Sequence, residues 1–224
     1  MDLKQNFTSI YKKYGHFKLF LLFIPTTYIF YFLQVYIEPK YIMHVKLDDY
    51  IPFIKYFVVP YVFWYVYLFW GYVYFAFYSK EEFTKFIKFI IYGALAAYVV
   101  YFFFPNGQDL RNDISNIYNN DIFLQLIYSI RSTDPPANVF PSLHVYNSIG
   151  INIAICTSSA FKDKRWVRIF AYISTVLISM STVCIKQHSI VDVFGAIILS
   201  AIMYILIYKL SFTRKVDQDI ITEQ

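Results

Sequence analysis

Charged residues are scarce in this sequence of 224 residues. Asp, Glu, Lys and Arg make up 16% of it, whereas about 25% is usual for a soluble domain. The formal net charge is only +5 and the basic residues form no long run, which argues against a nucleic-acid partner. Two cysteines, Cys156 and Cys184, lie in apolar stretches. Their number excludes a disulfide scaffold, and we expect two buried thiols.

Apolar residues, in contrast, make up 58% of the chain, including 24 Phe and 23 Tyr. This is too much for one water-soluble core, and a membrane-spanning helix uses about 20 such residues. Six continuous apolar segments are found, at 17–37, 53–78, 86–104, 142–160, 166–185 and 190–209. The first is too long for a signal-peptide core and lacks a cleavage site. We predict one integral membrane domain over 1–224, an all-α polytopic bundle of six transmembrane helices.

The basic residues predict the orientation of this bundle. With the N-terminus in the cytoplasm, that side carries 14 of them: Lys4, Lys12, Lys13, Lys18, Lys80, Lys85, Lys88, Lys162, Lys164, Arg165, Arg168, Lys209, Arg214 and Lys215. The other side carries six: Lys40, Lys46, Lys55, Arg111, Arg131 and Lys186. Loops rich in Lys and Arg stay inside. Both termini are therefore expected in the cytoplasm, and we expect the plasma membrane of a bacterium.

The longest loop, about 105–141, falls on the predicted outer side. Apolar residues at helical spacing predict a short amphipathic helix over 120–131, either lying at the membrane interface or packed on the bundle. Earlier in the chain, Asp48 and Asp49 are expected in a solvated loop, and Trp64 is expected to be a membrane or packing residue.

Two polar clusters occur at predicted helix starts on this outer side. His188 and Asp192 are four residues apart and share a helix face, so the carboxylate can hold one imidazole nitrogen and leave the other free as a nucleophile. In Phe140-Pro141-Ser142-Leu143-His144, proline suits the first helical turn, and the amides of residues 142–144 are expected to be free to bind phosphate. A structural His–Asp pair and an interfacial His are the plainer alternatives.

Arg111, at the outer end of the third segment, adds a guanidinium that can bind phosphate oxygens, although arginine is also common at membrane interfaces. Together the residues provide a cation, an anion site, a proton donor in His144 and an oriented nucleophile in His188. These are the groups needed for displacement at phosphorus through a phosphohistidine. No carboxylate cluster that suits Mg²⁺ lies near them, so we expect neither a metal nor a cofactor.

From about 86 to 209, the sequence resembles the type-2 phosphatidic acid phosphatase superfamily of membrane lipid phosphatases and phosphotransferases. That family's Pro-Ser-Gly-His motif is similar to Pro141-Ser142-Leu143-His144. Its Ser-Arg-x5-His-x3-Asp motif is matched by Ser181, His188 and Asp192. The resemblance implies that His188 is the nucleophile, Asp192 its orienting carboxylate and His144 the acid, with Ser142 and neighbouring amides binding phosphate.

The sequence departs from the family pattern at several positions. Thr182 stands in place of the motif arginine, and Lys186 is a candidate to supply the missing charge. Phe104 stands where the first motif has a lysine. Leu143 replaces glycine, and Phe-Pro-Ser-Leu-His is similar to the inositol phosphorylceramide synthase branch, which transfers a phospho-head group to a lipid alcohol.

The predicted function is therefore a lipid phosphate phosphatase at the outer face of the membrane. One alternative is a phosphotransferase that uses the same intermediate with a lipid or polyol alcohol as acceptor. A second alternative is a non-catalytic lipid-binding or transport protein on the same scaffold. The residues do not select among phosphatidate, phosphatidylglycerol phosphate and a polyprenyl diphosphate as substrate.

Overall fold

The computed structural model describes residues 15–117 and 121–210, and the predicted all-α membrane bundle is confirmed there. The described part contains eight α-helices: α1 (Phe23–Tyr36), α2 (Lys46–Tyr50), α3 (Val58–Tyr78), α4 (Lys80–Phe103), α5 (Ile122–Thr133), α6 (Leu143–Thr157), α7 (Arg165–Cys184) and α8 (Ile190–Tyr204). A 3-10 segment, Gly15–Leu22, leads into α1, and a π-helical turn, Ile205–Lys209, continues α8.

Five helical segments of the described chain are long and apolar enough to cross a membrane. They are Gly15–Tyr36, Lys55–Tyr78, Lys80–Phe103, Arg165–Cys184 and Ile190–Lys209. The remaining predicted span, 142–160, corresponds to α6, which has only 15 residues. At about 1.5 Å per residue, this is shorter than a ~30 Å hydrocarbon core. The count of six spans stays a prediction.

Polar residues set the starts of four helices by capping their first turns. Ser79, Asp121, Ser142 and Ser189 each accept a hydrogen bond from a backbone N–H in the helix that follows. Such caps satisfy amides that have no partner within the helix. The two caps nearest to the predicted chemistry, Ser142 and Ser189, therefore fix where α6 and α8 begin.

The short helix α6 lies at the centre of the bundle, with α3, α4, α7 and α8 packed around it. Tyr146 of α6 is fully buried, stacks on Phe89 of α4 at 4.8 Å between ring centroids, and donates a hydrogen bond to the Phe89 carbonyl. Gly93 permits this close approach, since a Cβ there would overlap the Tyr146 ring. The packing holds the start of α6, and with it His144, in a defined position.

A two-stranded parallel sheet, which the sequence did not predict, joins two loops at the same end of the bundle. β1 (Tyr41–Ile42) follows α1, β2 (Asn106–Gly107) follows α4, and Tyr41 pairs with Asn106. The Asn106 side chain is fully buried and accepts hydrogen bonds from the amides of Val139 and Phe140, at 2.9 and 2.7 Å. Asn106 thereby ties the entry of α6 to the end of α4.

The predicted amphipathic helix is confirmed as α5, although predicted residue 120 lies outside the described residues. Its Leu124 and Ile127 are buried in a cluster with Val58 and Tyr61 of α3 and with Ile185. The alternative in which this helix packs on the bundle is therefore the one observed. The expectation for the cysteines is half right, since Cys184 is a buried free thiol whereas Cys156 is an exposed one.

Candidate active site

The start of α8 brings a histidine and a carboxylate into contact. Nδ1 of His188 lies 3.1 Å from Oδ2 of Asp192, and the Ser189 amide donates to the same oxygen at 3.0 Å. Asp192 is fully buried and His188 is 8% exposed. Because a carboxylate is an acceptor, the contact fixes the tautomer with the proton on Nδ1 and leaves Nε2 as the free nitrogen. The predicted contact is observed, but the prediction of one shared helix face is wrong, because α8 begins at Ile190 after its cap Ser189 and His188 lies in the turn before it.

His144 lies across from His188, with 5.9 Å between the ring centroids. Tyr61 and Trp64 of α3 contact the His144 ring, at centroid distances of 4.7 and 4.2 Å. The Trp64 indole also donates to the His144 carbonyl at 3.1 Å. Trp64 was expected to be a membrane or packing residue; it does pack against the hydrophobic core, and it also contacts a site residue. No periodicity in the sequence indicated this role.

The structure corrects one detail of the predicted anion site. The Ser142 amide donates to the Asp192 carbonyl at 3.1 Å, so this amide is not free to bind phosphate. The Ser142 side chain caps α6, is fully buried and is not part of the cavity wall described below. The contact between the Ser142 amide and Asp192 arises because the first turns of α6 and α8 pack directly against each other. The amides of Leu143 and His144 belong to the first turn of α6, where helices lack internal partners.

Arg111 is held beside His188 by its neighbours. Its guanidinium donates to the Asp134 carbonyl at 2.8 Å and to Oε1 of Gln187 at 2.5 Å. Burial lowers the pKa of Arg111 below its ordinary value, and the Asp134 carboxylate opposes that shift. The neighbouring Arg131 guanidinium donates hydrogen bonds to the Asn112 and Ile185 carbonyls. Burial, together with the positive charge of Arg111, lowers the pKa of Arg131 to about 10.

Lys186 does not reach this group of residues. Its ammonium donates to the Asp48 carbonyl at 2.7 Å, and its backbone takes a left-handed φ of 58°. The described structure therefore does not bring Lys186 to the position that a replacement for the motif arginine would need. Thr182 is fully buried, with its hydroxyl on the Ser179 carbonyl, and Phe104 stacks on Tyr41.

These residues surround a cavity of about 380 Å³. Its wall combines aromatic side chains with charged and polar ones, which include Phe30, Gln34, Trp64, Tyr65, Tyr98, Tyr101, Arg111, Asp134, Asn138, Leu143, His144, Asn147, Gln187 and His188. Five buried polar atoms of this wall have no hydrogen-bond partner within the described residues: Arg111 Nε, Asn138 Nδ2, His144 Nε2, Asn147 Oδ1 and Gln187 Nε2. Most of them are nitrogens, which suits an oxyanion.

One wall residue is acidic. Oδ1 of Asp134 accepts from the Gln34 side-chain amide at 3.3 Å. Burial raises the pKa of Asp134, against the opposing effects of His188 and Arg111. Because Lys186 is turned away, Arg111 is the one Lys or Arg among the described wall residues, and the Asp134 carboxylate offsets its charge.

The structure also adds residues that the sequence interpretation missed. Asp48 was expected in a solvated loop, but it is 1% exposed and its carboxylate contacts the start of α8. That prediction is wrong for Asp48, whereas its neighbour Asp49 is solvent-exposed as predicted, although it lies in α2 and not in a loop. Gln187, beside the motif histidine, was also missed, and its position next to His188 was the one signal that pointed to it.

Comparison with known proteins agrees with this geometry. The family model described as the PAP2 superfamily matches residues 94–215, more than half of the chain, and the matched region contains every predicted site residue. No curated protein and no solved structure matches the chain. The chain belongs to the PAP2 superfamily, whose members are phosphatases or phosphotransferases.

Proposed function

We propose that this member of the PAP2 superfamily cleaves a phosphoester bond of a membrane lipid through a covalent phosphohistidine on His188. The observation that carries the proposal is the meeting of separated residues at one cavity. His188, oriented by Asp192, faces His144 at 5.9 Å between ring centroids, and Arg111 lies on the same wall. These residues provide a nucleophile, a proton donor and a cation around one cavity.

In the first step, Nε2 of His188 attacks the phosphorus atom. The N–P bond forms while the bond to the lipid oxygen breaks, and protonated His144 gives its proton to that departing oxygen. Asp192 stabilises the positive charge that develops on the His188 ring as phosphorus is transferred. The products of this step are a lipid alcohol and the phosphohistidine.

In the second step, water attacks the phosphohistidine on the side that the alcohol has left. Neutral His144 accepts a proton from this water, the N–P bond breaks, and inorganic phosphate and free His188 are released. His144 is thereby protonated again for the next cycle. A reaction completed by water is the phosphatase activity that the sequence predicts.

The negative charge on the transferring group is balanced by donors of the cavity wall. Arg111 provides the positive charge, and the buried nitrogens of Asn138 and Gln187 add neutral donors. The first-turn amides of Leu143 and His144 add the positive end of the α6 dipole. Such fixed donors act most strongly where water is excluded.

The position of the cavity supports a lipid substrate approached from the outer face. Of the basic residues on the predicted inner side, Lys80, Lys85, Arg165 and Arg168 lie in the first two turns of α4 and α7, whereas the cavity lies at the opposite ends of these helices. Lys4, Lys12, Lys13, Arg214 and Lys215 lie outside the described residues. The aromatic part of the wall suits the acyl or prenyl end of a lipid whose phosphate is at headgroup depth.

A second candidate, transfer of a phospho-head group to an alcohol, is favoured by Asp134. A carboxylate opposite the single guanidinium disfavours a dianionic phosphate monoester relative to a monoanionic diester. Carboxylate and carboxamide groups, here Asp134, Gln34 and Asn147, also bind alcohol hydroxyls. In this reaction the alcohol replaces water in the second step, and His188, Asp192 and His144 keep the roles described above.

The experiment is a turnover assay of the purified protein with radiolabelled phosphatidate in detergent micelles, with and without added lipid alcohols. We expect His188→Ala to abolish both turnover and acid-labile, base-stable labelling of the protein. His44→Ala is the matched control, since His44 lies at the same end of the bundle but pairs with Asp49 and Asp109. Turnover by His188→Ala at the wild-type rate would refute the proposal. Phosphate release without an added alcohol identifies a phosphatase, and product formation only with an alcohol identifies a transferase.

A further inference from the structure

A carboxylate from outside the family-matched region reaches the turn that carries His188. We infer that Asp48 is a positioning residue for His188, acting through the backbone and side chains on both sides of the histidine. The inference rests on the proposed role of His188 as nucleophile. Asp48 belongs to α2, in the connection between α1 and α3, and it precedes the matched residues 94–215.

Both carboxylate oxygens of Asp48 are used in this contact. Oδ2 accepts from the Ser189 hydroxyl at 2.6 Å and from the Val45 amide at 2.9 Å, and Oδ1 accepts from the Ile190 amide at 2.8 Å. The Asp48 side chain therefore holds α2 and the first turn of α8 together. With 1% exposure, it makes these bonds away from solvent, where they are strongest.

The backbone of Asp48 holds the other side of His188. Its carbonyl accepts from the Lys186 ammonium at 2.7 Å, and Lys186 has a left-handed φ of 58°. A residue with a side chain adopts this conformation at a free-energy cost, so the Lys186 contact helps to keep the turn in place. Residues 186, 189 and 190 are thus all bound to Asp48, and His188 lies between them.

At this turn, Ser189 donates one hydrogen bond to each of two carboxylates. The Ser189 hydroxyl binds Asp48, whereas the Ser189 amide binds the same Asp192 oxygen that receives the His188 Nδ1 proton. A shift of Ser189 therefore changes the position of the carboxylate that orients His188. Because a displacement of about 1 Å at a reacting group can lower a rate about 100-fold, the link gives Asp48 a kinetic effect without contact with substrate.

The same contacts give Lys186 a different role from phosphate binding. A phosphate ligand contributes to substrate affinity, so its loss raises KM. A residue that holds the nucleophile in line contributes to the chemical step, so its loss lowers kcat and the rate of phosphohistidine formation. The two roles are distinguished by which kinetic constant changes.

The test compares Asp48→Asn with Asp49→Asn, an adjacent and exposed carboxylate that pairs with His44 instead. In the turnover assay described above, we expect Asp48→Asn to lower kcat about 10- to 100-fold with KM within threefold of wild type. Single-turnover labelling of His188 should slow by the same factor. Lys186→Met should change kcat in the same direction, and Asp49→Asn should match wild type.

Folding is checked by thermal midpoint and by elution as a single species. If Asp48→Asn does not fold, Ser189→Ala decides, because it removes the bond between the Ser189 hydroxyl and Asp48, together with the α8 cap, and keeps the bond from the Ile190 amide to the Asp48 carboxylate. Wild-type kcat in a folded Asp48→Asn or, failing that, in Ser189→Ala would overturn the inference, as would a rise in KM at unchanged kcat. Full turnover by His188→Ala, measured in parallel, would instead overturn the nucleophile assignment and this inference with it.

Discussion

The interaction between Asp192 and His188 can be tested by removing one charge with almost no change in shape. In Asp192→Asn, the amide oxygen can take the place of Oδ2 and keep both the His188 and the Ser189 contacts. The amide nitrogen then takes the place of Oδ1, which has no hydrogen-bond partner within the described residues. The substitution therefore removes the negative charge beneath the histidine and leaves the hydrogen-bond geometry in place.

The size of the effect follows from the character of this bond. Hydrogen bonds to charged groups contribute about 1.5–3 kcal/mol, and each 1.36 kcal/mol in a barrier is a factor of ten in rate. The charge matters most when the His188 ring becomes positive on attack at phosphorus. We therefore expect Asp192→Asn to lower kcat/KM about 10- to 150-fold, with most of the loss in kcat.

The assay is initial-rate turnover in detergent micelles, combined with single-turnover labelling of His188. Asp163→Asn is a suitable control, since Asp163 is exposed and lies in the connection between α6 and α7, at the far end of the bundle. A folded Asp192→Asn protein with kcat/KM within twofold of wild type would show that the carboxylate does not act on the histidine during the reaction.

Two further predictions concern stability. Burial raises the pKa of Asp134 above its ordinary value of 3.8, so the native state binds more protons than the unfolded state between the two pKa values, and this residue's contribution to stability falls as the pH rises through that window. Asp134→Asn should therefore raise the thermal midpoint at pH 7 and lose this advantage below pH 3.8, whereas an equal difference at both pH values would contradict the assignment. Asn106→Ala should destabilise the protein by about 2–5 kcal/mol, because the amides of Val139 and Phe140 lose their acceptor. A thermal midpoint equal to that of wild type would show that these two hydrogen bonds do not stabilise the fold.

Local patterns in the sequence predicted much of the site. His188 and Asp192 are four residues apart and lie on either side of the Ser189 cap, so the sequence spacing predicted their contact although His188 itself precedes the helix. Arg111 and His144 were identified from their positions at the ends of apolar segments. In each case the residue was recognised as a polar side chain near the end of an apolar segment, and this pattern is visible in one sequence without an alignment.

Contacts between distant segments could not be predicted in this way. Asp48 and Ser189 are 141 positions apart, and no periodicity relates α2 to α8. Asp48 and Asp49 look equivalent in the sequence, and only the fold buries one of them. The Ser142 amide was assigned to phosphate because helix starts expose their amides in general, whereas here the neighbouring start of α8 supplies the acceptor.

The distribution of buried polar atoms separates structural from chemical roles in this bundle. Asn106, Asp48 and Ser189 are buried as deeply as the site residues, yet each is bonded to groups of the protein itself. Of the ten buried polar side-chain atoms without such a partner in the described chain, five belong to residues of one cavity wall. Each unsatisfied buried polar group lowers the stability of the folded state by about 1–3 kcal/mol. The five groups around the cavity therefore destabilise this part of the fold when no ligand is bound. The nitrogens among these atoms are donors that an oxyanion can satisfy, and this supports the proposal of a phosphate-bearing substrate.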